Sequence, residues 1–453
     1  MTGRRRPSHR TTRKPLSTAA ATAAFASLIA GCGLLPIASG SSKEPVTVMT
    51  WAPEGTGAHN MAGMPAMAQT YARWVNKNGG IDGRELKVIT CNERNDTVAA
   101  GRCARRAASQ EVAAVVGSYS QHGRAFMSQL EAAGIPYIGG YGVSDEEFTS
   151  PLSYPVNGGH ATLLAGNGRQ LAAECERVAL VRPDTIHGDQ MPSLLNAGLE
   201  EGHRRPATDV RAPEDATEYT VHGRRALQSL VDTEAPAYAS AGTELNSTGS
   251  APAAPSALDD SCVAAALGDR TDTFFDSFRR LRNEDTDVRI SSVLGSVQQS
   301  LVDRTGSSRS PFEGAYVTGW YPAASDPAWE PMRAVVREHA FGDNRVDVTD
   351  PGVQTTWIAY TVLRQVIESL DGEPVTGRAL RKTLDNGIGH GGISTGGLTP
   401  RLSWRYEDML VMRDFPRIAN ATVTYQQVRD GQLVPAREGF VNVAQTLERR
   451  FED

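Results

Sequence analysis

The segment that covers residues 111–144 constrains the fold more than any other part of the chain. It begins with an apolar run at residues 112–116, which ends at Gly117 and has the pattern of a strand buried in a parallel sheet. A polar loop leads into a helical pattern that Gly134 ends, and a second short apolar run follows at residues 135–138. This strand–helix–strand order predicts a parallel α/β sheet.

Both predicted strands run into loops that are rich in glycine and in hydroxyl groups, at residues 118–123 and 139–144. In an open parallel sheet, ligands bind in the crevice beyond the carboxyl ends of the strands. Ser120 also precedes the helix at a position suited to capping, and a helix N-terminus attracts a carboxylate. These loops are therefore predicted to hold a ligand, although ordinary βα loops have a similar composition.

The same alternation of strands and helices extends in both directions, so the predicted fold class is α/β with doubly wound parallel sheets. A chain of 453 residues is too long for a single core, which indicates two domains. Strands are predicted at residues 46–51, 83–90, 178–181, 263–267, 288–294 and 314–318, with a hairpin at 421–432. Helices are predicted at residues 98–109, 161–175, 191–201, 353–370 and 377–384, and an amphipathic helix includes the apolar residues Met64, Met67, Tyr71 and Val75. The low-complexity stretch within residues 231–258 is interpreted as a flexible insertion.

The N-terminus has the pattern of an export signal. Six basic residues and no acidic residue precede a short apolar, alanine-rich run at residues 16–30, which is too short for a stable membrane anchor. Cys32 follows the segment Leu-Ile-Ala-Gly, which resembles a bacterial lipobox. Residues 1–31 are therefore predicted to be a lipoprotein signal peptide, Cys32 the lipidated residue and residues 32–43 a tether. The alternative is an ordinary signal peptide with a cysteine there by chance.

Charge and cysteine content limit the partners and the compartment. Without residues 1–31 the chain carries 40 basic and 52 acidic residues, which argues against nucleic acid or an anionic surface as a partner. Four cysteines remain after Cys32, and an even number in an exported protein suggests two disulfides with three connectivities. We expect Cys91–Cys103, which is local, and Cys175–Cys262, which joins the starts of two predicted strands.

Enzyme and metal motifs give little support to a catalytic function. Residues 392–396 match the G-x-S-x-G pattern, but they lie in a glycine-rich loop without the strand and helix that a nucleophile elbow requires. Neither the cysteine spacings nor the nine scattered histidines match a zinc motif, and no phosphate-binding loop is present. The sequence therefore predicts a protein that is not an enzyme and has no cofactor and no metal site.

Several segments together resemble the extracellular solute-binding proteins of branched-chain amino acid ABC transporters, which have the type I periplasmic-binding fold. They are TYARWVNKNGGIDGRELKVI at residues 70–89, CARRAASQEVAAVVGSYSQ at 103–121 and AAGIPYIGGYGVSDEEFTSPLSYPVN at 132–157. The resemblance continues more weakly through EGAYVTGWYP and VRDGQLV. It implies two Rossmann-like lobes joined by three crossings, with a ligand held in the cleft as the lobes close.

Lobe boundaries and partners follow from the resemblance. Lobe 1 is expected to combine residues 44–154 and 322–397, and lobe 2 residues 155–321 and 398–453. The partners implied are a small polar ligand, amino-acid-like or otherwise, and the permease and ATPase subunits of an importer. The protein would be anchored by its lipid to the outer face of the cell membrane, with no nucleic acid involved. A ligand-sensing receptor without transport is the alternative.

The resemblance also indicates candidate ligand-binding residues at the strand ends that face the cleft. In lobe 1 they are Trp51, Tyr119, Ser120, Gln121, Tyr141, Gly142 and Ser144. In lobe 2 and the crossings they are His187, Asp269, Gln298, Trp320 and Tyr321. Amino-acid binders of the family place a carboxylate in lobe 2 against the ligand ammonium, but residues 295–299 contain no acid. Either Asp269 takes that role or the ligand is not a simple α-amino acid.

Overall fold

The computed structural model describes residues 43–57, 60–185, 187–231, 258, 260–281, 288–293, 297–410, 412 and 414–449. These described residues belong to one compact unit. The predicted signal peptide, Cys32 and most of the predicted insertion lie outside the described residues.

The first sheet consists of five parallel strands in the order β2-β1-β3-β4-β5. They are β1 (Val46–Ala52), β2 (Leu86–Asn92), β3 (Ala114–Val116), β4 (Tyr137–Ile138) and β5 (Ser153–Tyr154). The helices of this part of the chain are α1 (Gly63–Lys77), α2 (Thr97–Ser109), α3 (Gly123–Ala133), α4 (Glu146–Thr149), α10 (Glu330–His339), α11 (Pro351–Glu368) and α12 (Gly377–Asp385).

Helices cover both faces of the first sheet, because side chains alternate between the faces of each strand. In β1, Val48 belongs to a core that includes α1 and α11, whereas Met49 belongs to a core with α2 and α3. Both residues are fully buried, which explains why most of β1 is apolar and why its apolar residues do not simply alternate with polar ones.

The second sheet has the order β12-β11-β10-β9-β8-β6-β7, and β13 pairs with β11. Its parallel strands are β6 (Arg177–Pro183), β7 (Thr208–Ala212), β8 (Ser261–Ala265), β9 (Arg289–Ser292) and β10 (Tyr316–Gly319). The antiparallel strands are β11 (Thr422–Arg429), β12 (Gln432–Pro435) and β13 (Val441–Asn442). The accompanying helices are α5 (Gly159–Glu174), α6 (Met191–Glu201), α7 (Thr220–Val231), α8 (Thr271–Arg279), α9 (Gln299–Arg304) and α13 (Ala444–Arg449).

The chain passes between the two sheets three times. It leaves the first sheet after β5, returns after β10 to form α10 and α11 against α1, and crosses again to reach β11. This confirms the expected α/β fold with two lobes and three crossings. The lobe boundaries given from the sequence stay a prediction.

A capping side chain begins α11, and a glycine ends α3. Asp350 caps α11 by accepting hydrogen bonds from the N–H groups of Gly352 (2.6 Å) and Val353 (3.0 Å). Gly134 ends α3 in the left-handed conformation with φ +67°, as its position in the sequence predicts.

Both expected disulfides are present. Cys91 of β2 is bonded to Cys103 of α2, and Cys175 at the end of α5 is bonded to Cys262 of β8. β6 and β8 are neighbours in the sheet, which is why the starts of these two strands come within disulfide distance.

Sequence patterns missed several elements. They did not predict β5, β7, β13, α4, α7, α8, α9, α10 or α13. The first crossing is short, because β5 ends at Tyr154 and α5 begins at Gly159. In the described part of the chain, no helix combines the length and apolar composition needed to span a membrane.

Candidate functional site

A cavity of about 610 Å³ lies where the carboxyl ends of the two sheets face each other. Loops that follow β2, β3 and β4 line one side, and loops that follow β6, β7 and β8 line the other. In both sheets the strand order reverses at this place, between β1 and β3 and between β6 and β8. Such reversals open the crevice in which α/β proteins bind ligands.

Two tyrosines form an aromatic wall on the first-sheet side. The rings of Tyr119 and Tyr141 lie 5.2 Å apart, and Trp320 meets Tyr141 edge to face, also at 5.2 Å. Nε2 of Gln121 donates a hydrogen bond to the Tyr119 hydroxyl over 2.9 Å. The wall therefore combines a flat apolar surface with a polar edge.

Glu147 fixes the shape of the loop after β4. Its carboxylate accepts hydrogen bonds from the N–H groups of Gly142 (3.0 Å), Val143 (3.1 Å) and Ser144 (3.1 Å), and from the Ser144 hydroxyl (3.2 Å). Burial raises the pKa of Glu147 to about 7, while these donors act in the opposite direction. Gly142 is required here because φ is +92° and a Cβ atom would lie 2.6 Å from Oδ1 of Asn157.

A buried arginine shapes the second-sheet side. The Arg182 side chain is 2% exposed, and it donates to Asp189 (2.8 Å) and to Asp209 (2.9 Å). These bonds tie the end of β6 to its neighbour β7 and to the turn before α6. The loop that carries Thr185 and His187 into the cavity is anchored in this way.

His187 lies against His160, with ring centroids 4.5 Å apart. Burial lowers the pKa of His187 below its usual value, and the nearby carboxylates of Asp145 and Glu214 act against this shift. The metal-ligating atoms of Asp145, His160 and His187 all lie within 4.8 Å of one another. Within the described part of the chain, these three residues form the group that could hold a metal ion.

Both signs of charge occur around the cavity. Nε of Arg124 lies 3.3 Å from Oε1 of Glu146 on one side, and Arg270 and Glu214 line the other. The cavity can therefore receive anionic and cationic groups of a ligand, each next to an opposite charge.

Five of the twelve residues expected from the sequence line this cavity: Tyr119, Gln121, Tyr141, Ser144 and His187. Asp269 lies between two lining residues, Gly268 and Arg270, but its side chain is outside the described part of the structure. Gly142 belongs to the lining loop, where its N–H is bonded to Glu147.

The other five residues lie elsewhere. Trp51 is fully buried against Phe126 and Tyr137, and Ser120 is fully buried beneath the cavity. Gln298, Trp320 and Tyr321 line a second cavity of only about 50 Å³. Trp320 and Tyr321 point into the protein because their polar atoms form hydrogen bonds there. Nε1 of Trp320 donates to the Gly159 carbonyl over 2.9 Å, and the Tyr321 hydroxyl accepts from Nδ2 of Asn157 over 3.1 Å.

Sequence reasoning missed most of the polar residues that line the cavity. The missed residues include Asn95, Thr97, His122, His160, Thr185 and Glu214. Asn95 and Thr97 follow the end of β2, so the rule applied to β3 and β4 would have found them. Glu214 follows β7, a strand that the patterns did not predict.

The solved structures that resemble this chain share its fold. A branched-chain amino acid ABC transporter protein from Thermus thermophilus with bound valine has a TM-score of 0.69 and 13% identity, and the match covers 91% of this chain and 99% of that one. A leucine-binding protein from Thermotoga maritima has a TM-score of 0.62 and 14% identity, and the match covers 88% of this chain and 99% of that one. A solute-binding ABC transporter protein from R. palustris in complex with 4-hydroxybenzoate has a TM-score of 0.65 and 14% identity, and the match covers 88% of this chain and 97% of that one.

None of the curated proteins compared with this sequence matches it. The family model described as periplasmic binding protein matches residues 49–396, most of the chain, and the structural neighbours include Leu/Ile/Val-binding-type proteins. The resemblance seen in the sequence is confirmed, and the chain belongs to the periplasmic binding protein family.

Proposed function

We propose that this protein is an exported, lipid-anchored solute-binding protein that captures a small polar ligand by closing its cleft and delivers it to the permease and ATPase subunits of an ABC importer. The observation that carries the proposal is the cavity of about 610 Å³, which is lined by strand-end loops of both sheets. A volume of this order fits ligand pockets of the usual size. Family membership supports binding rather than catalysis.

The ligand we propose carries a carboxylate. The first turn of α3 lines the cavity, and the N-terminal end of a helix favours a negative group. Gln121 and Ser144 add polar side chains close to it. Two structural neighbours hold valine and 4-hydroxybenzoate, which are both small carboxylates. The Tyr119–Tyr141 wall would pack against the apolar part of such a ligand.

An ammonium group on the ligand is compatible with this cavity. The sequence argument against simple α-amino acids depended on residues 295–299 facing the ligand, but Gln298 lines the second cavity instead. Glu214 brings a carboxylate from the second sheet to the main cavity. Amino acids therefore belong among the candidate ligands together with aromatic acids.

Calorimetric titration of the mature chain tests the ligand class. We would use leucine, valine and 4-hydroxybenzoate as probes and expect one-to-one binding of at least one of them. Gln121→Ala should weaken that binding about three- to tenfold, since one hydrogen bond contributes about 0.5–1.5 kcal/mol. Gln432→Ala, an exposed glutamine on β12, is the matched control and should bind as the wild type does. Equal affinity in both variants would contradict the proposed site.

Transport and sensing make different predictions in cells. Deletion of the gene should abolish uptake of the ligand identified by titration, and the intact gene should restore it. Neighbouring permease and ATPase genes would favour uptake. Unchanged uptake together with a lost response to the ligand would instead indicate the sensing receptor.

A further inference from the structure

Asp145, His160 and His187 come together in the cleft although His187 lies 42 positions after Asp145 in the sequence. We propose that these three residues, the cleft triad, bind a divalent transition-metal ion of the Zn²⁺ class that bridges the two lobes. The proposal goes beyond solute capture, and it holds or fails independently of which solute is bound.

The ligand set suits such an ion. Two imidazoles and one carboxylate are the protein ligands of many zinc sites that keep a further coordination position open. Oδ1 of Asp145 is buried and has no hydrogen-bond partner among the described residues, so a carboxylate oxygen is available inside the cleft. Glu146, the neighbouring acid, is by contrast engaged with Arg124.

The distances fit a site that tightens as the metal binds. The potential ligand atoms lie within 4.8 Å of one another. Bonds of about 2.0–2.1 Å to a tetrahedral Zn²⁺ place ligand atoms about 3.4 Å apart. The ligand atoms therefore need to approach one another by at most about 1.4 Å, which small side-chain rotations or a slight closure of the cleft can supply.

The triad spans the parts of the protein that move relative to each other when a two-lobed cleft closes. Asp145 follows β4 of the first sheet and precedes α4. His160 stands in the first turn of α5, directly after the first crossing, and His187 follows β6 of the second sheet. A metal ion held by all three would join loops of both lobes and stabilise the closed arrangement.

The open coordination position would face the cavity, because all three residues line it. Water can occupy that position when no solute is present. A carboxylate of a bound solute can replace the water, so the same ion would contribute to solute affinity.

Titration with zinc alone tests the site. The mature chain is treated with EDTA, freed of chelator and titrated with ZnCl₂ in the absence of any organic ligand. We expect one equivalent of Zn²⁺ per chain, and Co²⁺ in its place should give the visible absorption of a four-coordinate ion. His187→Asn and Asp145→Asn should each weaken zinc binding about tenfold or more, since even residues behind the ligands change affinity by 10–100-fold.

His203→Asn is the matched control, because His203 is exposed and asparagine tolerates its φ of +57°. It should bind zinc as the wild type does, and circular dichroism establishes that each variant is folded. Absence of stoichiometric zinc binding would overturn the proposal, and so would equal affinity in the His187→Asn and His203→Asn variants. Solute binding is measured separately on the EDTA-treated chain, so either result leaves the proposed solute-binding function standing.

Discussion

Oγ of Ser120 donates a hydrogen bond to Oε2 of Glu93 over 3.0 Å, and both side chains are fully buried beneath the cavity. The same oxygen accepts a hydrogen bond from the His122 N–H over 3.1 Å. Burial raises the pKa of Glu93, and Ser120 is the strongest influence that opposes this shift. The hydroxyl that the sequence suggested as a ligand contact therefore supports the floor of the site.

Ser120→Ala should lower the free energy of unfolding by about 1–2 kcal/mol, because Glu93 would lose a buried donor. Its effect on ligand affinity should be smaller than that of Gln121→Ala, a variant of a residue that lines the cavity. Thermal unfolding and calorimetric titration of both variants check this. An unchanged melting temperature with strongly reduced binding would show that the hydroxyl contacts the ligand directly.

Glu147 should make stability depend on pH. Its pKa is raised from 4.5 to about 7 in the folded protein, so between these values the unfolded chain ionises first. The contribution of Glu147 to the free energy of unfolding is fully present below pH 4.5 and is lost as the pH rises to about 7. Its upper limit is about 3 kcal/mol. Thermal unfolding from pH 5 to 7.5 measures it.

Glu147→Gln should remove this part of the pH dependence, since glutamine does not ionise. Glu146→Gln, a change at the adjacent residue, should keep it. Identical pH profiles for the wild type and Glu147→Gln would contradict the assignment.

The two disulfides should differ in their contribution to stability. Cys175–Cys262 closes a loop across 87 residues and Cys91–Cys103 one across 12. The chain-entropy model assigns them about 4.5 and about 3 kcal/mol. Replacing Cys175 and Cys262 with serine should therefore lower the melting temperature more than replacing Cys91 and Cys103, and a reversed order would refute this account.

Trp320 should report ligand binding by fluorescence, because its ring contacts Tyr141 of the cavity wall. Trp51, also expected from the sequence to flank the cleft, is sealed in the core and should respond little. Trp320→Phe should abolish most of the signal, whereas Trp74→Phe on α1 should retain it. A signal that survives in Trp320→Phe would contradict this prediction.

Cys32→Ala should release the protein from membranes or block its processing, because the proposed lipid anchor would be lost. Membrane fractionation and the mass of the mature chain are the measurements. The same fractionation and the same mass in the variant would exclude lipidation at Cys32.

The sequence by itself determined the elements with strong local patterns. β1 and β8 are mostly apolar because side chains on both of their faces are buried, and α6 covers the residues that its pattern predicted. The strands β5 and β7 were missed because one has only two residues and the other exposes three of its five side chains. Neither segment is long or apolar enough to show the hydrophobic periodicity that indicates a strand.

Only the tertiary structure decided which of the strand-end residues reach the cavity. Tyr119 and Ser120 are neighbours in the sequence, yet one lines the cavity and the other hydrogen-bonds to Glu93 below it. Trp320 points inward because its N–H donates to the Gly159 carbonyl, and His160 of α5 contacts His187 of the loop after β6. Local patterns record how a segment buries its own apolar side chains, whereas these contacts depend on partners that the fold brings from distant parts of the chain.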